Sequence, residues 1–136
     1  MKPSLAVGVA TTRRITVDKG RTIGFMGEEG RVYATPELVR DVEMTCRELL
    51  LQHLDAGEDS VGTRVEIEHL APTLMGMWAE ITATIVEVKG RMVTFEVSGK
   101  DPLDQIARGR HTRFISDVAK TKERLAAKAA KAKAVS

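Results

Sequence analysis

Residues 32–54 form the only stretch in the body of this chain that has the length and the period of a long helix. Thr35 stands where a side-chain hydroxyl can cap free backbone amides, and Pro36 follows in the first turn, where no amide donor is needed. At 100° per residue, one face collects the apolar side chains Val39, Val42, Cys46 and Leu50. The rest of the chain must therefore supply a surface on which this one helix packs.

An acidic residue interrupts the apolar face of the predicted helix. Glu43 projects between Val39 and Cys46, and Thr35 projects onto the same side. Burying a charge costs several kcal/mol unless the charge is paired or hydrogen-bonded. Glu43 is therefore expected either to reach water at the rim of the helix face or to meet a partner across the core.

The segments around the helix have the pattern of strands joined by tight turns. β-branched and alternating runs, bounded by Gly, Pro, Asp and Lys, predict an antiparallel sheet. The segment 21–31 is rich in glycine and has no sustained period, so it is expected to form a loop that covers a site. One helix laid across such a sheet is an α+β domain, expected over residues 1–117. The predicted strands are Leu5–Val17, Val61–Leu70, Trp78–Val88, Met92–Ser98 and Ile106–Ile115.

His69 ends the most regular of these strands. A strict period of two puts Val61, Thr63, Val65, Ile67 and His69 on one face and Gly62 with its even-numbered neighbours on the other. His69 then points towards whatever covers the sheet, and the helix that carries Glu43 is the only sizeable cover available. A buried acid and a buried imidazole on facing surfaces are typical of a functional site.

The composition narrows the class of protein. A chain of 136 residues, 43% hydrophobic and 29% charged, is large enough for one domain with a real core. Cys46 is the single cysteine, so no internal disulfide can form, and a buried thiol is a poor nucleophile. No apolar run approaches the roughly 18 residues of a membrane span, and we expect a cytoplasmic location. Metal-ligand and phosphate-loop spacings are absent, so neither a metal nor a cofactor is expected.

The pattern changes after residue 117. Residues 118–136 form a basic tail of alanines and lysines, plausibly helical but without a broad apolar face. We expect a solvated tail, with transient contact to nucleic acid or another polyanion as the alternative. The formal charge of +2 for the whole chain does not by itself indicate a nucleic-acid-binding protein.

Four motifs, in this order and at these spacings, resemble those of the fluoroacetyl-CoA thioesterase group of bacterial hot-dog proteins. They are Val-Tyr-Ala-Thr35 leading into Glu43, Ser60-Val-Gly62-Thr, His69 before Ala-Pro-Thr, and Gly109-Arg-His-Thr-Arg113. The resemblance implies a hot-dog fold, in which an antiparallel sheet wraps around one long central helix. It implies that Thr35, Glu43 and His69 are catalytic and that Gly62 and Arg113 shape the site and hold the substrate. It also implies a homodimer with its active sites at the subunit interface.

Two departures from that group concern specificity. Pro36 follows the threonine where the fluoroacetyl-specific member has glycine, and the segment before Thr35 lacks the phenylalanines that cover the fluoroacetyl group. The resemblance thus implies hydrolysis of a small or medium acyl-CoA without fluoroacetyl specificity. The alternatives are a non-hydrolytic module that binds acyl-CoA or an acyl carrier, and a nucleic-acid-associated protein that acts through its tail. Hot-dog dehydratases are a further possibility, but their motif differs from the one in this chain.

Overall fold

A five-stranded antiparallel sheet curves around one long helix in the computed structural model, which describes residues 1–136. The helix α1 spans Thr35–Leu51, and the strand order across the sheet is β1-β5-β6-β7-β4. The α+β prediction is therefore confirmed. The five strands are β1 (Ala10–Thr16), β4 (Glu58–His69), β5 (Trp78–Lys89), β6 (Met92–Lys100) and β7 (Gln105–Asp117); β2 (Thr22–Ile23) and β3 (Val32–Tyr33) form a separate small hairpin.

The core lies between α1 and the sheet. Leu38, Val42, Cys46 and Leu50 of α1 have at most 1% exposure and belong to one apolar cluster with the buried side chains of the sheet. Burial raises the pKa of the Cys46 thiol to about 12, which agrees with a structural thiol. The predicted face is rotated slightly, because Val39 is only half-buried while Asp41 and Thr45 are buried. Glu43 consequently lies at the rim of the buried face, on the side of β4.

Strand β4 forms one edge of the sheet and contains a bulge. It pairs with β7 in antiparallel register, with Gly62 opposite Arg113 and Arg64 opposite Thr112, so that Thr63 is the extra residue. The strict alternation predicted for this strand is wrong at this point. Gly62 and His69 face the helix side together, whereas Val61, which the period of two grouped with His69, is 51% exposed.

The segment before α1 differs from its prediction. The first strand begins at Ala10, five residues later than expected. The predicted loop of residues 21–31 contains two-residue strand β2, which pairs with β3 as Thr22 with Tyr33 and Ile23 with Val32. Arg21 anchors this hairpin, since its carbonyl accepts the Ala34 amide at 2.8 Å. The hairpin therefore brings Tyr33, Ala34 and the start of α1 into a fixed position.

The C-terminal helix α2 spans Val118–Val135 and follows β7 directly, with Asp117 as its N-cap. None of its residues is buried. Six basic residues and one acidic residue give residues 118–136 a net charge of +5, so residues 1–117 carry −3 of the chain's total of +2. Neither α1 nor α2 is long and apolar enough to cross a membrane.

Candidate active site

The first half of the predicted site is a hydrogen bond between Thr35 and His69. Thr35 Oγ1 lies 2.7 Å from His69 Nδ1 and joins the start of α1 to the end of β4. The predicted capping role of Thr35 is wrong, because Ala34 is the N-cap and no side chain caps the helix. The Thr35 hydroxyl is therefore available to bond to the His69 imidazole. His69 Nε2 is buried without a partner, and burial lowers the pKa of His69, so the neutral ring is favoured.

Free backbone amides lie next to this pair. The first amides of any helix lack intrahelical partners, and Pro36 has no amide to offer. The Leu38 amide donates to the Ala34 carbonyl at 2.9 Å, because Ala34 and not Thr35 is the N-cap. The amides of Thr35 and Glu37 have no backbone acceptor. They remain as donors at the positive end of the α1 dipole.

A shallow groove of about 310 Å³ opens beside Thr35 and His69. Its walls come from the β2–β3 hairpin and from the segment that follows β4, and most of them are apolar. Such a lining suits a small apolar group held next to the hydroxyl and the imidazole. The lining residues are Ile23, Val32, Tyr33, Thr35, His69, Leu70, Ala71 and Pro72.

The second half of the predicted site surrounds Glu43. Its carboxylate Oε1 lies 3.9 Å from Nη1 of Arg113 and 3.9 Å from Nε2 of His111, and the Glu43 side chain is 40% exposed. Arg113 is only 5% exposed, and burial lowers the pKa of its guanidinium. Arg113 donates from Nε to Ser60 Oγ at 2.7 Å and from Nη2 to the Ser60 carbonyl at 2.8 Å. These bonds hold the guanidinium rigidly beside Glu43.

The neighbours of His111 fix its tautomer. Nδ1 lies 2.8 Å from the Arg64 carbonyl, which only accepts, so Nδ1 carries the proton. Nε2 is then the acceptor for Nη1–H of Arg113 at 3.1 Å. Burial is the main cause of the lowered pKa of His111, and the Arg113 charge lowers it further. His111 is therefore a neutral bridge between the bulge in β4 and the guanidinium beside Glu43.

Gly62 leaves the space that the Glu43 carboxylate occupies. A Cβ at this position would overlap Glu43 Oε1 and stand 3.0 Å from Cε1 of His111. Real Cβ atoms essentially never approach other heavy atoms that closely. Only glycine fits here while Glu43 keeps its position.

Within one protomer the predicted residues fall into two separate groups. Thr35 and His69 form one group, and Glu43, Gly62 and Arg113 form the other. No hydrogen bond or ion pair joins Glu43 to His69. Thr35 and Glu43 are eight residues apart on α1, a rise of about 12 Å at 1.5 Å per residue. The direct Glu43–His69 contact that the sequence suggested is therefore absent from the single chain.

Three partners of the site were not predicted from the sequence. His111 and Ser60 hold Arg113, and the buried acid Asp41 binds Tyr33 and Arg21. The signal for His111 was present, since it alternates in step with the buried residues Arg113 and Ile115 of β7. No group of three or more His, Cys, Asp or Glu side chains is placed to hold a metal ion.

Known proteins share this sequence and this fold. Residues 17–119 match the family model described as fluoroacetyl-CoA-specific thioesterase. The fluoroacetyl-CoA thioesterase of Streptantibioticus cattleyicolor is 30% identical over 122 residues, which are 85% of this chain and 88% of that protein.

Three solved structures resemble this domain. A thioesterase superfamily member from Thermus thermophilus has a TM-score of 0.88 at 28% identity and covers 97% of this chain and 98% of its own. A mutant of the fluoroacetyl-CoA-specific thioesterase, in complex with fluoroacetate and CoA, has a TM-score of 0.79 at 29% identity and covers 86% of this chain and 99% of its own. A hot-dog-like protein from Thermanaerovibrio acidaminovorans has the same architecture. The hot-dog fold is thus confirmed, and the chain belongs to the fluoroacetyl-CoA-specific thioesterase family.

Proposed function

We propose that this protein is an acyl-CoA thioesterase that hydrolyses a small or medium acyl-CoA and is not specific for fluoroacetyl-CoA. The proposal rests on one observation. The hydrogen-bonded pair of Thr35 and His69 and the carboxylate of Glu43 lie on the same side of the sheet, at two separate places. Family membership supports thioester hydrolysis. The small groove beside Thr35 and His69 supports a short acyl group.

The two groups become one site if two copies pair through β4. This strand lies at an edge of the sheet, where unpaired backbone groups are a template for another strand. Val61 and Val65 on it are 51% and 41% exposed. An antiparallel pairing centred near Val65 sets the Gly62 end of one copy against the His69 end of the other. Glu43 of one subunit then faces Thr35 and His69 of its partner, and each homodimer holds two sites.

In this arrangement each residue has a distinct role in hydrolysis. Glu43 removes the proton of the attacking water, or attacks the thioester carbonyl itself and is then released by water. The amides of Thr35 and Glu37 stabilise the oxyanion, a contribution of about 3 kcal/mol per donor. Thr35 and His69 orient the reacting groups, and His69 relays the proton to the departing CoA thiolate. A covalent acyl adduct on Glu43, sought by mass spectrometry after an acid quench, separates the two routes.

We assign Arg113 a different task from holding the substrate directly, which is the role that the resemblance implied. Three of its five N–H groups donate to Ser60 and His111, and the side chain is nearly inaccessible. We infer that it orients the Glu43 carboxylate by charge and that Gly62 gives this carboxylate its room. The substrate thus meets Arg113 only through Glu43.

The first test is the release of free thiol from a panel of short, branched, aromatic and long acyl-CoAs that includes fluoroacetyl-CoA. Hydrolysis of the short or medium members well above the others, with no preference for fluoroacetyl-CoA, supports the proposal. Glu43→Gln should then lower kcat by at least about 10²-fold with folding retained, since it removes the base or nucleophile. Glu48→Gln, on the same helix with a 54% exposed side chain, is the matched control. Tight acyl-CoA binding without thiol release would instead indicate a binding module.

Subunit complementation tests the shared site. Glu43→Gln and His69→Ala are each inactive alone, but in a mixed dimer one of the two sites contains neither substitution. Random mixing makes half of the dimers mixed, so about a quarter of the wild-type activity returns. No return of activity in mixed dimers, shown to form by mass, would mean that each site uses a single chain. A cytoplasmic location is likewise proposed, and cell fractionation tests it.

A further inference from the structure

The buried carboxylate of Asp41 forms a polar cluster beside the site that the proposed chemistry does not use. Asp41 is 5% exposed, and both of its oxygens have partners. Arg21 donates from Nε to Oδ2 at 2.9 Å and from Nη2 to Oδ1 at 3.2 Å. The Tyr33 hydroxyl donates to the same Oδ2. A buried acid costs free energy unless its partners are fixed, so we expect this cluster to have a role in the protein.

Tyr33 connects this cluster to the imidazole of His69. The Tyr33 ring is 1% exposed and meets the His69 ring edge to face, with centroids 6.4 Å apart and planes at 82°. The Tyr33 amide also donates to the Thr73 carbonyl at 2.8 Å. Thr35 holds the imidazole through Nδ1, and Tyr33 packs against its ring. The orientation of the ring is therefore set by two contacts, neither of which was predicted from the sequence.

The tyrosine has little freedom to move on its own. Its hydroxyl is tied to Asp41 and its backbone to Thr73, while Arg21 closes the hairpin around it through the Ala34 amide. Burial and the Asp41 contact both raise the pKa of Tyr33, so its hydroxyl keeps its proton and remains a donor. The ring is a fixed wall, and its hydroxyl does not enter the groove.

Building on the proposed thioesterase function, we propose that Tyr33 is a positioning residue that holds the His69 imidazole for the reaction, and that Asp41 and Arg21 hold Tyr33. Tyr33 acts only through His69. Asp41 acts one contact further away, through the tyrosine hydroxyl.

Three variants separate these contacts. Tyr33→Leu removes the ring that packs on His69 and leaves Asp41 paired with Arg21. Tyr33→Phe and Asp41→Asn keep the ring but remove or weaken its anchor. Leu54→Ala removes apolar burial from a 5% exposed position beyond the end of α1 and serves as the control for general destabilisation. For each variant, kcat and KM are measured on the best acyl-CoA, and the His69 imidazole is titrated by NMR, with His69→Gln used to assign its signal.

Tyr33→Leu is expected to lower kcat at least about tenfold with KM within about twofold, because a misplaced catalytic group affects the chemical step. Water then reaches the imidazole, so the pKa of His69 rises towards its ordinary value near 6.5. Tyr33→Phe and Asp41→Asn should lower kcat about threefold, since the ring stays in place with less restraint. If Tyr33→Leu does not fold, the kcat values of Tyr33→Phe and Asp41→Asn test the proposal instead.

The proposal is overturned if Tyr33→Leu matches Leu54→Ala in kcat, KM and His69 titration. If Tyr33→Leu does not fold, the proposal is overturned when Tyr33→Phe and Asp41→Asn both match Leu54→Ala in these measurements. If the wild-type protein hydrolyses no acyl-CoA, the proposed function fails, but the titration still shows whether Tyr33 sets the environment of His69.

Discussion

The Glu43 carboxylate fills the space in which a side chain on residue 62 would begin. The carboxylate can therefore hold this position only because residue 62 is glycine. Arg113 and His111 lie beside the same space, each with a nitrogen 3.9 Å from Glu43 Oε1.

Gly62→Ala should lower kcat by at least about tenfold, because the new methyl group displaces the carboxylate from its place beside Arg113. Glu43 is at the rim and its side chain can swing into water, but the buried His111 ring, with Cε1 3.0 Å from the new Cβ, must also shift, so stability should fall by about 1 kcal/mol. Thiol release and urea denaturation measure the two effects. Val61→Ala, one residue earlier on the opposite face, is the control and should retain kcat. Unchanged kcat in Gly62→Ala would contradict the assigned role of the contact.

Arg113→Met should destabilise the protein by about 3 kcal/mol, because Ser60 and His111 lose the guanidinium that satisfies them in a buried site. Urea denaturation measures this loss. Arg108→Met removes an arginine of the same strand whose side chain is 59% exposed, and it should cost less than about 0.5 kcal/mol. Equal effects of the two substitutions would show that the buried network adds nothing to stability.

Stability should decrease as the pH falls below about 6.5, the ordinary pKa of histidine. Burial lowers the pKa of both His69 and His111, so the folded state binds fewer protons than the unfolded state between their folded and unfolded pKa values. The free energy of unfolding is therefore fully present above pH 6.5 and is lost as the pH falls through that window. Urea denaturation at intervals from pH 7.5 to 5 measures the slope. His69→Gln should reduce the slope, and a slope of zero in the wild-type protein would contradict the prediction.

Gly109→Ala should prevent stable folding or cost several kcal/mol, because its Cβ would overlap the Glu66 carbonyl oxygen in the paired strand β4. Gly99→Ala is the matched comparison. A Cβ there would stand 3.3 Å from side-chain atoms of Ala107 and Ile106, which can adjust, so the cost should stay near 1 kcal/mol. Thermal denaturation of the two variants, compared with the wild type, checks the order. Equal melting temperatures would show that β4 and β7 can separate at this point without loss.

Removal of residues 118–136 should leave thioester hydrolysis unchanged and cost about 1 kcal/mol, because the tail is tied to a distant part of the fold by the hydrogen bond from the Val118 amide to the Gly57 carbonyl. The same truncation tests the alternative role of the tail. Salt-sensitive retention of duplex DNA by the full chain, absent from the truncated protein, would support contact with a polyanion. Loss of hydrolysis on truncation would contradict the division of the chain at residue 117.

The helix and the strands could be predicted because each follows its own period over many residues. The period of α1 and the proline near its start marked the helix, and His69 was correctly placed on the covered face. Gly62 was placed on the wrong face, since alternation along one strand carries no information about a slip against its neighbour. The bulge after Gly62 depends on β7 as much as on β4.

The Asp41 cluster could not be predicted for a different reason. Two-residue strands such as β2 and β3 leave no periodic signal, so nothing indicated that a hairpin would cover the Asp41 side of α1. On a helix without the β2–β3 hairpin over it, Asp41 is expected to face solvent. Thr35 was expected to cap the helix. Because Ala34 is the N-cap, the Thr35 hydroxyl bonds to His69 instead.

The bulge in β4 also limits where protons can travel. Its Arg64 carbonyl holds the Nδ1 proton of His111, and the lone pair on Nε2 is occupied by Arg113. His111 thus has neither a free proton to give nor a free lone pair to receive one. In the proposed mechanism, proton transfer is therefore left to Glu43, His69, Thr35 and water. The one-residue bulge in β4 thus excludes His111 from proton transfer and leaves His69 as the imidazole that can take part.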